Sequence, residues 1–531
     1  MVQLFFFSNI FMYILNILIT GIVLSYILMF LHSNFLNSNN TLLNLIRIIL
    51  LLSISISFFF YIIFIFFFYK YFFFNINYSI FSVYCLIPTL FINMHIYFFE
   101  FSIDFFGIII LFLAYFVGLL SLLALDNRIF YKNVKYLFSI NIFILFVFFF
   151  FFFLNLFFFF FFYVFFFLFL FFLFFFFFNF FFFFFFFFVF SSNLLLFFLF
   201  YELLLLPSFL VVYFISPSRR AIQASIYFLI WTQIGSILVL LVITYILVNL
   251  SSFEFFTIKN YTFSYNESYF LFLFLFLGFG FKVPIWPFHY WLTKTHVEAP
   301  AGFSMFLSGF LVKTAIYGFY KITLLLNNEL NTSLFITICI VGVIDSSLKM
   351  WGQTDLKKLV AYCTIQEMNL IYLTLCWGDS NMVITSILFI MMHGLLSTLM
   401  FFIVDCVQRR FNSRSVVELS GILQITPSLG ISILFMCILY SGLPGMLKFS
   451  CEFYLFSNLF SISPTLTIVL FFISNVIGLI SFSKCWFNVT FGIFNKNLKF
   501  IPFDLNIKEL YIIYLTSLLL IILTLSCSIF F

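Results

Sequence analysis

Apolar stretches of about 20 residues, separated by short polar breaks, recur from one end of this 531-residue chain to the other. A helix of that length crosses the hydrocarbon core of a bilayer, where only helices and closed barrels satisfy their own backbone. Composition agrees, with 66% hydrophobic and 8% charged residues against roughly 45–50% and 25% in soluble domains. The expected fold is an all-α polytopic membrane protein, with no soluble stretch long enough for a separate catalytic domain.

Hydropathy with polar breaks predicts helices near residues 4–31, 42–69, 105–125, 136–190, 192–215, 223–249, 268–290, 303–325, 333–350, 357–377, 382–407, 427–458, 464–487 and 509–530, about fourteen spans in all. The N-terminal stretch has no basic start and is too long for a signal-peptide core, so it reads as the first span. Residues 78–104 carry charges and strand-like residues and read as a structured extramembrane loop. Phenylalanine supplies 103 residues, many of them in a Phe-rich insertion over 149–190. Every position there is apolar, so periodicity leaves open whether 136–190 is one span, two or three. The bias toward Phe, Ile, Asn and Tyr points to a T-rich organelle genome.

The nine cysteines are scattered without metal-ligand spacing, so no disulfide, iron–sulfur cluster or zinc is expected. A net charge of +6 raises nucleic acid as a partner, but no basic run with interleaved aromatics supports one. The basic residues sort by loop instead: Arg128, Lys132 and Lys135; Arg219 and Arg220; Lys294; Lys349, Lys357 and Lys358; Arg409, Arg410 and Arg414; Lys484, Lys496 and Lys499. These follow odd-numbered spans, while the even-side loops with Glu254, Lys259, Glu267, Glu329 and Asp379 are net acidic; with 136–190 counted as one span or three, this places the basic loops on the cytoplasm-equivalent side and the termini opposite.

An ionisable group at the bilayer centre costs about 2.5–3.5 kcal/mol on insertion scales, which makes each one a functional candidate. The candidates are Glu202, Lys282, Lys313, His393 and Glu452. In GFGFKVPIWPFHYW, Pro284 and Pro287 lack N–H groups, which frees the carbonyls of Gly280 and Val283 and predicts a helix broken at Lys282. Such a break is tolerated at membrane depth where it is buried in protein or lines a hydrated cavity, a setting in which an amine can exchange protons. A second break is expected at SGLPGM, 441–446, five spans later. Two interrupted helices in matching positions imply an inverted repeat, with two five-helix units. The expected segments are 1–135, N-terminal helices and loop; 136–325, first repeat; 333–487, second repeat; and 488–531, linker and last helix. The plainer readings are a snorkelling lysine, a hydrogen-bonded packing histidine and a glutamate bonded to a neighbouring helix.

KVPIWPFHYWLTKTHVEAP, followed in order by LVKTAIYG, QTDLKKLVAYCTIQEM, HGLLST and LPGMLKFSCE, resembles the antiporter-like proton-pumping subunits of respiratory complex I over roughly residues 100–490. Glu452 favours the chain 4 branch of that family. The resemblance implies that Glu202 and Lys282 form a charge-switching pair, that Lys313 sits centrally, and that a proton passes by His393 to Glu452 on the second broken helix. His289 and His296 align with family histidines and, with Lys448, are possible modulators. The chain departs from the family pattern in RRFNSR, where Asn412 stands in place of a histidine and Arg409 of an acid. Lys448, four residues before Glu452, replaces a residue that is typically neutral, and its spacing predicts a Lys448–Glu452 pair.

The resemblance further implies a mitochondrial inner-membrane location with basic loops on the matrix side and termini in the intermembrane space. It implies no cofactor or metal on this chain, with NADH, FMN, iron–sulfur clusters and ubiquinone held by other subunits. Chain 2 and chain 5 type neighbours, accessory subunits and lipids such as cardiolipin are the implied partners. Two other classes compete: a free-standing cation/proton antiporter of the same fold, and a structural scaffold that would leave the buried charges without a use.

Overall fold

A computed structural model describes residues 104–124, 184–185, 188–189, 191–215, 218–250, 252–326, 331–377, 380–492 and 503–530. The predicted first two spans, the loop at 78–104 apart from Asp104, and nearly all of 136–190 lie outside the described residues. Fourteen helices matter here: α1 Phe105–Ala124, α2 Leu194–Leu203, α3 Leu205–Ile215, α4 Arg219–Leu250, α5 Tyr265–Lys282, α6 Tyr290–Glu298, α7 Ala301–Thr323, α8 Ser333–Trp351, α9 Leu356–Trp377, α10 Ser380–Phe411, α11 Pro427–Tyr440, α12 Leu447–Ile462, α13 Pro464–Thr490 and α14 Ile507–Phe530. Among the described residues there is no β-strand, only two isolated bridges, and eight helical stretches are long and apolar enough to cross a membrane.

Two expected spans prove discontinuous. The helix predicted over 268–290 ends at Lys282 and resumes as α6, while that predicted over 427–458 divides at Tyr440 and resumes at Leu447. At the first break the carbonyl of Gly280 is not left free, because the Ile285 amide donates to it at 3.1 Å. The Trp291 indole donates to the Phe281 carbonyl at 2.8 Å. A break at this depth persists because its orphaned backbone finds donors inside the protein.

Helices α10, α9 and α7 form the interior and are almost wholly buried, whereas α2, α4, α8, α13 and α14 leave apolar flanks exposed. Helix α10 packs against α1, α7, α9, α11, α12 and α14. Helices α4 and α5 meet through Gly235 and Gly278, where a Cβ on Gly235 would stand 2.4 Å from the Gly278 carbonyl oxygen. Small residues permit this close backbone approach, as in other membrane helix pairs.

Two π-helical turns interrupt the ladder, Leu307–Leu311 in α7 and Phe472–Gly478 in α13. Each lies in the helix that follows a broken one, and in each a carbonyl of the turn accepts from a buried side chain: Ser308 O from Lys313, and Ser474 O from Gln366. Such bulges commonly sit at functional positions.

Candidate functional site

The polar side chains inside this bundle gather at the two breaks and along the helices between them. At the first break, Lys282 is the last residue of α5, where the helix dipole favours a cation. Its ammonium lies 3.0 Å from Glu202 Oε1, and the two side chains are 11% and 20% exposed. The same ammonium sits 3.5 Å from the centroid of the Tyr201 ring, a favourable cation–π position. Gln233 of α4 donates to the other carboxylate oxygen at 3.1 Å. Glu202 is held in place because Asn193 caps α2, accepting from the Leu195 amide at 3.0 Å.

Lys313 is fully buried on α7, its Nζ bonded to the Ser308 carbonyl of the π turn. It is within electrostatic reach of His296, His393 and Glu367. His393 of α10 lies with Nδ1 3.7 Å from Glu367 Oε2. His393 Nε2 and Glu367 Oε2 have no hydrogen-bond partner among the described residues.

At the second break, Lys448 makes the expected pair with Glu452 and adds a second one with Glu367. Its ammonium is 3.1 Å from Glu367 Oε1 and 3.6 Å from Glu452 Oε1, so the shorter contact runs to α9. Helical spacing accounts for the second contact but cannot show the first, because Glu367 is 81 positions away in sequence and only packing brings it near. Asn475 of α13 donates to Glu452 Oε2 at 3.1 Å.

Of the remaining sequence candidates, His296 borders this line beside Lys313 and His393, and the others stand apart from it. His289 stands just before α6, with Nε2 3.4 Å from Asp345 Oδ2 and 3.1 Å from Lys349 Nζ, both on α8. His296 is buried and stacked on Phe401 with ring centroids 4.5 Å apart; neither ring nitrogen has a partner among the described residues. Asn412 is exposed just past the end of α10 with φ of 53°, the left-handed position at which asparagine, after glycine, is favoured. Arg409 pairs with Asp405 and donates to the Ala124 carbonyl at the end of α1. These two departures serve helix termini in this fold.

Sequence reasoning missed Glu367, Gln233 and Tyr201. Glu367 lies in a stretch quoted above, TIQEM, and its charge among apolar residues was the available signal. Gln233 and Tyr201 carry no net charge, and only their placement beside Glu202 and Lys282 marks them.

The family model described as NADH:quinone oxidoreductase/Mrp antiporter, TM, matches residues 191–478, more than half of the chain. The chain belongs to this NADH:quinone oxidoreductase/Mrp antiporter family. Among its relatives, NADH-ubiquinone oxidoreductase chain 4 of Paramecium tetraurelia is 48% identical over 333 residues, 63% of this chain and 70% of that protein. A chain of respiratory complex I from Thermus thermophilus superposes with a TM-score of 0.59 at 21% identity, covering 65% of this chain and 73% of that one. A chain of the Mrp complex from Dietzia sp. gives a TM-score of 0.59 at 14% identity, covering 64% and 72%. The family match begins just before the Asn193 cap of α2 and ends with the π turn of α13, so it embraces both breaks and every buried charge described above.

Proposed function

We propose that this chain is a proton-translocating membrane-arm subunit of a respiratory NADH:ubiquinone oxidoreductase, working in the mitochondrial inner membrane. The observation that carries this reading is the Glu202–Lys282 ion pair at a helix break, in a chain 48% identical to the Paramecium chain 4. Separating the pair leaves an unpaired ammonium at membrane depth, a costly state. Lys282 then gives up its proton, and restoring Glu202 lets it take another. Lys313 and His393 receive the proton through hydrated side chains and pass it toward Glu452. This chain does no redox chemistry; NADH, FMN, iron–sulfur clusters and ubiquinone belong to other subunits, whose electron transfer drives the switching through a linked charge or conformational change.

In this reading the neighbours on either side are chain 2 and chain 5 type subunits, with accessory subunits and lipids such as cardiolipin on the exposed flanks. Basic loops face the matrix and both termini the intermembrane space. Replacement of Lys282 by alanine in the assembled complex is the test: fewer protons translocated per NADH oxidised is expected, and an unchanged ratio removes the proposal. Subunit composition of the purified complex separates lost pumping from failed assembly.

A second reading, a cation/proton antiporter acting outside complex I, has one specific observation in its favour, the equal TM-score to the Mrp chain. Co-purification decides between them: the first reading expects this chain with NADH dehydrogenase activity, the second expects it without.

A further inference from the structure

Lys448 is shared by two carboxylates on different helices. Three groups surround its ammonium: Glu367 Oε1 at 3.1 Å, Glu452 Oε1 at 3.6 Å and the face of Tyr440, whose centroid is 3.5 Å away. All four side chains are buried. The break at 441–446 closes over them, for Gly442 takes φ of +66° and a Cβ there would meet Glu452 Oε2 at 3.1 Å. With both carboxylates ionised, the group carries one net negative charge in a buried site, which is unfavourable unless a proton neutralises it.

We infer that Glu367, Lys448 and Glu452 form a one-proton store with two seats, through which protons leaving His393 must pass. Glu367 is the receiving seat because its Oε2 faces His393 Nδ1 at 3.7 Å and has no other partner among the described residues. Glu452 is the releasing seat, held by Asn475 at 3.1 Å beside the break. A proton on His393 leaves Nδ1 and forms an O–H bond at Glu367 Oε2, and the imidazole becomes neutral. One N–H bond of Lys448 breaks as its proton forms an O–H bond on Glu452, and the amine left behind takes the proton from Glu367 as that O–H bond breaks. Only N–H and O–H bonds change, and the lysine ends as it began, an ammonium. The idea rests on the pumping function proposed above and replaces a direct step from His393 to Glu452.

Glu367→Gln in the assembled complex separates a relay from a structural pair. The variant keeps the side-chain size and leaves Lys448 balanced by Glu452, so a purely structural role predicts a native proton-to-NADH ratio. The store predicts an assembled complex that has lost protons per NADH to the same extent as Glu452→Gln, with recovery in Glu367→Asp, which restores the carboxyl. A native ratio in Glu367→Gln overturns the store. Should that variant fail to assemble, Glu367→Asp carries the test in the other direction, because it must assemble and pump. Lys282→Ala keeps the two ideas distinguishable: if it pumps normally the general reading fails, whereas if it fails and Glu367→Gln pumps normally, only the two-seat store is lost.

Discussion

Lys282 and Trp291 show how single residues keep a broken helix stable inside a membrane. Lys282 ends α5 beside a carboxylate and an aromatic face, so its charge is compensated on two sides. Trp291 reaches back ten positions to cap the Phe281 carbonyl, a group that no helix amide serves beyond the break. Removing a partner from a buried carbonyl costs about 1–3 kcal/mol. Trp291→Phe keeps most of the apolar bulk and loses only the N–H. The expected result is a lower unfolding temperature of the assembled membrane arm, checked by thermal denaturation, with Glu202 and Lys282 less firmly placed and the proton ratio reduced with it.

At the scale of elements, the approach of α4 to α5 fixes where Gln233 and Lys282 meet Glu202. A methyl group on Gly235 would lie 2.4 Å from the Gly278 carbonyl oxygen and 2.9 Å from Phe281 Cβ. The first of these is backbone, so relief requires the helices to part. Overpacking of this kind typically costs about 1–3 kcal/mol. Gly235→Ala is expected to lower the yield of assembled complex, while Gly352→Ala, with nothing within 4 Å of its Cβ, leaves it unchanged; quantifying the chain in native gels checks both. The π turns work at the same scale, since in each a carbonyl of the turn accepts from a buried side chain, Lys313 for α7 and Gln366 for α13. No sequence periodicity announces such a turn.

Across the whole molecule, the last helix is fastened to the bundle by charge. Arg410 of α10 pairs with Glu509 of α14 and donates to the Asp504 carbonyl at 3.0 Å. Asp504 in turn caps the start of α11, accepting from the Ser428 amide at 2.9 Å, the Ser428 hydroxyl at 2.5 Å and the Leu429 amide at 3.2 Å. Partial burial pushes the Asp504 carboxyl up, but the bonds from Ser428, Leu505 and Leu429 outweigh it and hold the group below its usual range. A carboxyl depressed in the folded state adds stability that is present above its ordinary value, about 3.9, and is lost as pH falls through the lower folded one. Docking of α14 is therefore expected to be insensitive to pH near neutrality and to weaken below about pH 4. In Asp504→Asn that acid-dependent loss should vanish; protease sensitivity of the 491–506 linker across an acid titration reads it.

Much of this architecture is legible in the amino acids because a bilayer allows so few solutions. Length and apolarity placed most spans from 192 onward to within a few residues of the helices found, though they carried 268–290 past the end of α5 and did not show α6; proline and glycine located both breaks. Charge in apolar surroundings singled out Glu202, Lys282, Lys313, His393 and Glu452. What composition and spacing could not supply was which of these meet. Helical spacing pairs Lys448 with Glu452 and nothing more, whereas the packing of both α9 and α12 on α10 brings Glu367 closer still. Tyr201, Gln233 and the π-turn carbonyls are ordinary residues in sequence and acquire their roles only from neighbours. Hydrophobic pattern is a one-dimensional property and decides what crosses the membrane. The partner of a buried charge is decided by contacts between segments far apart in the chain, and those exist only once the helices have packed.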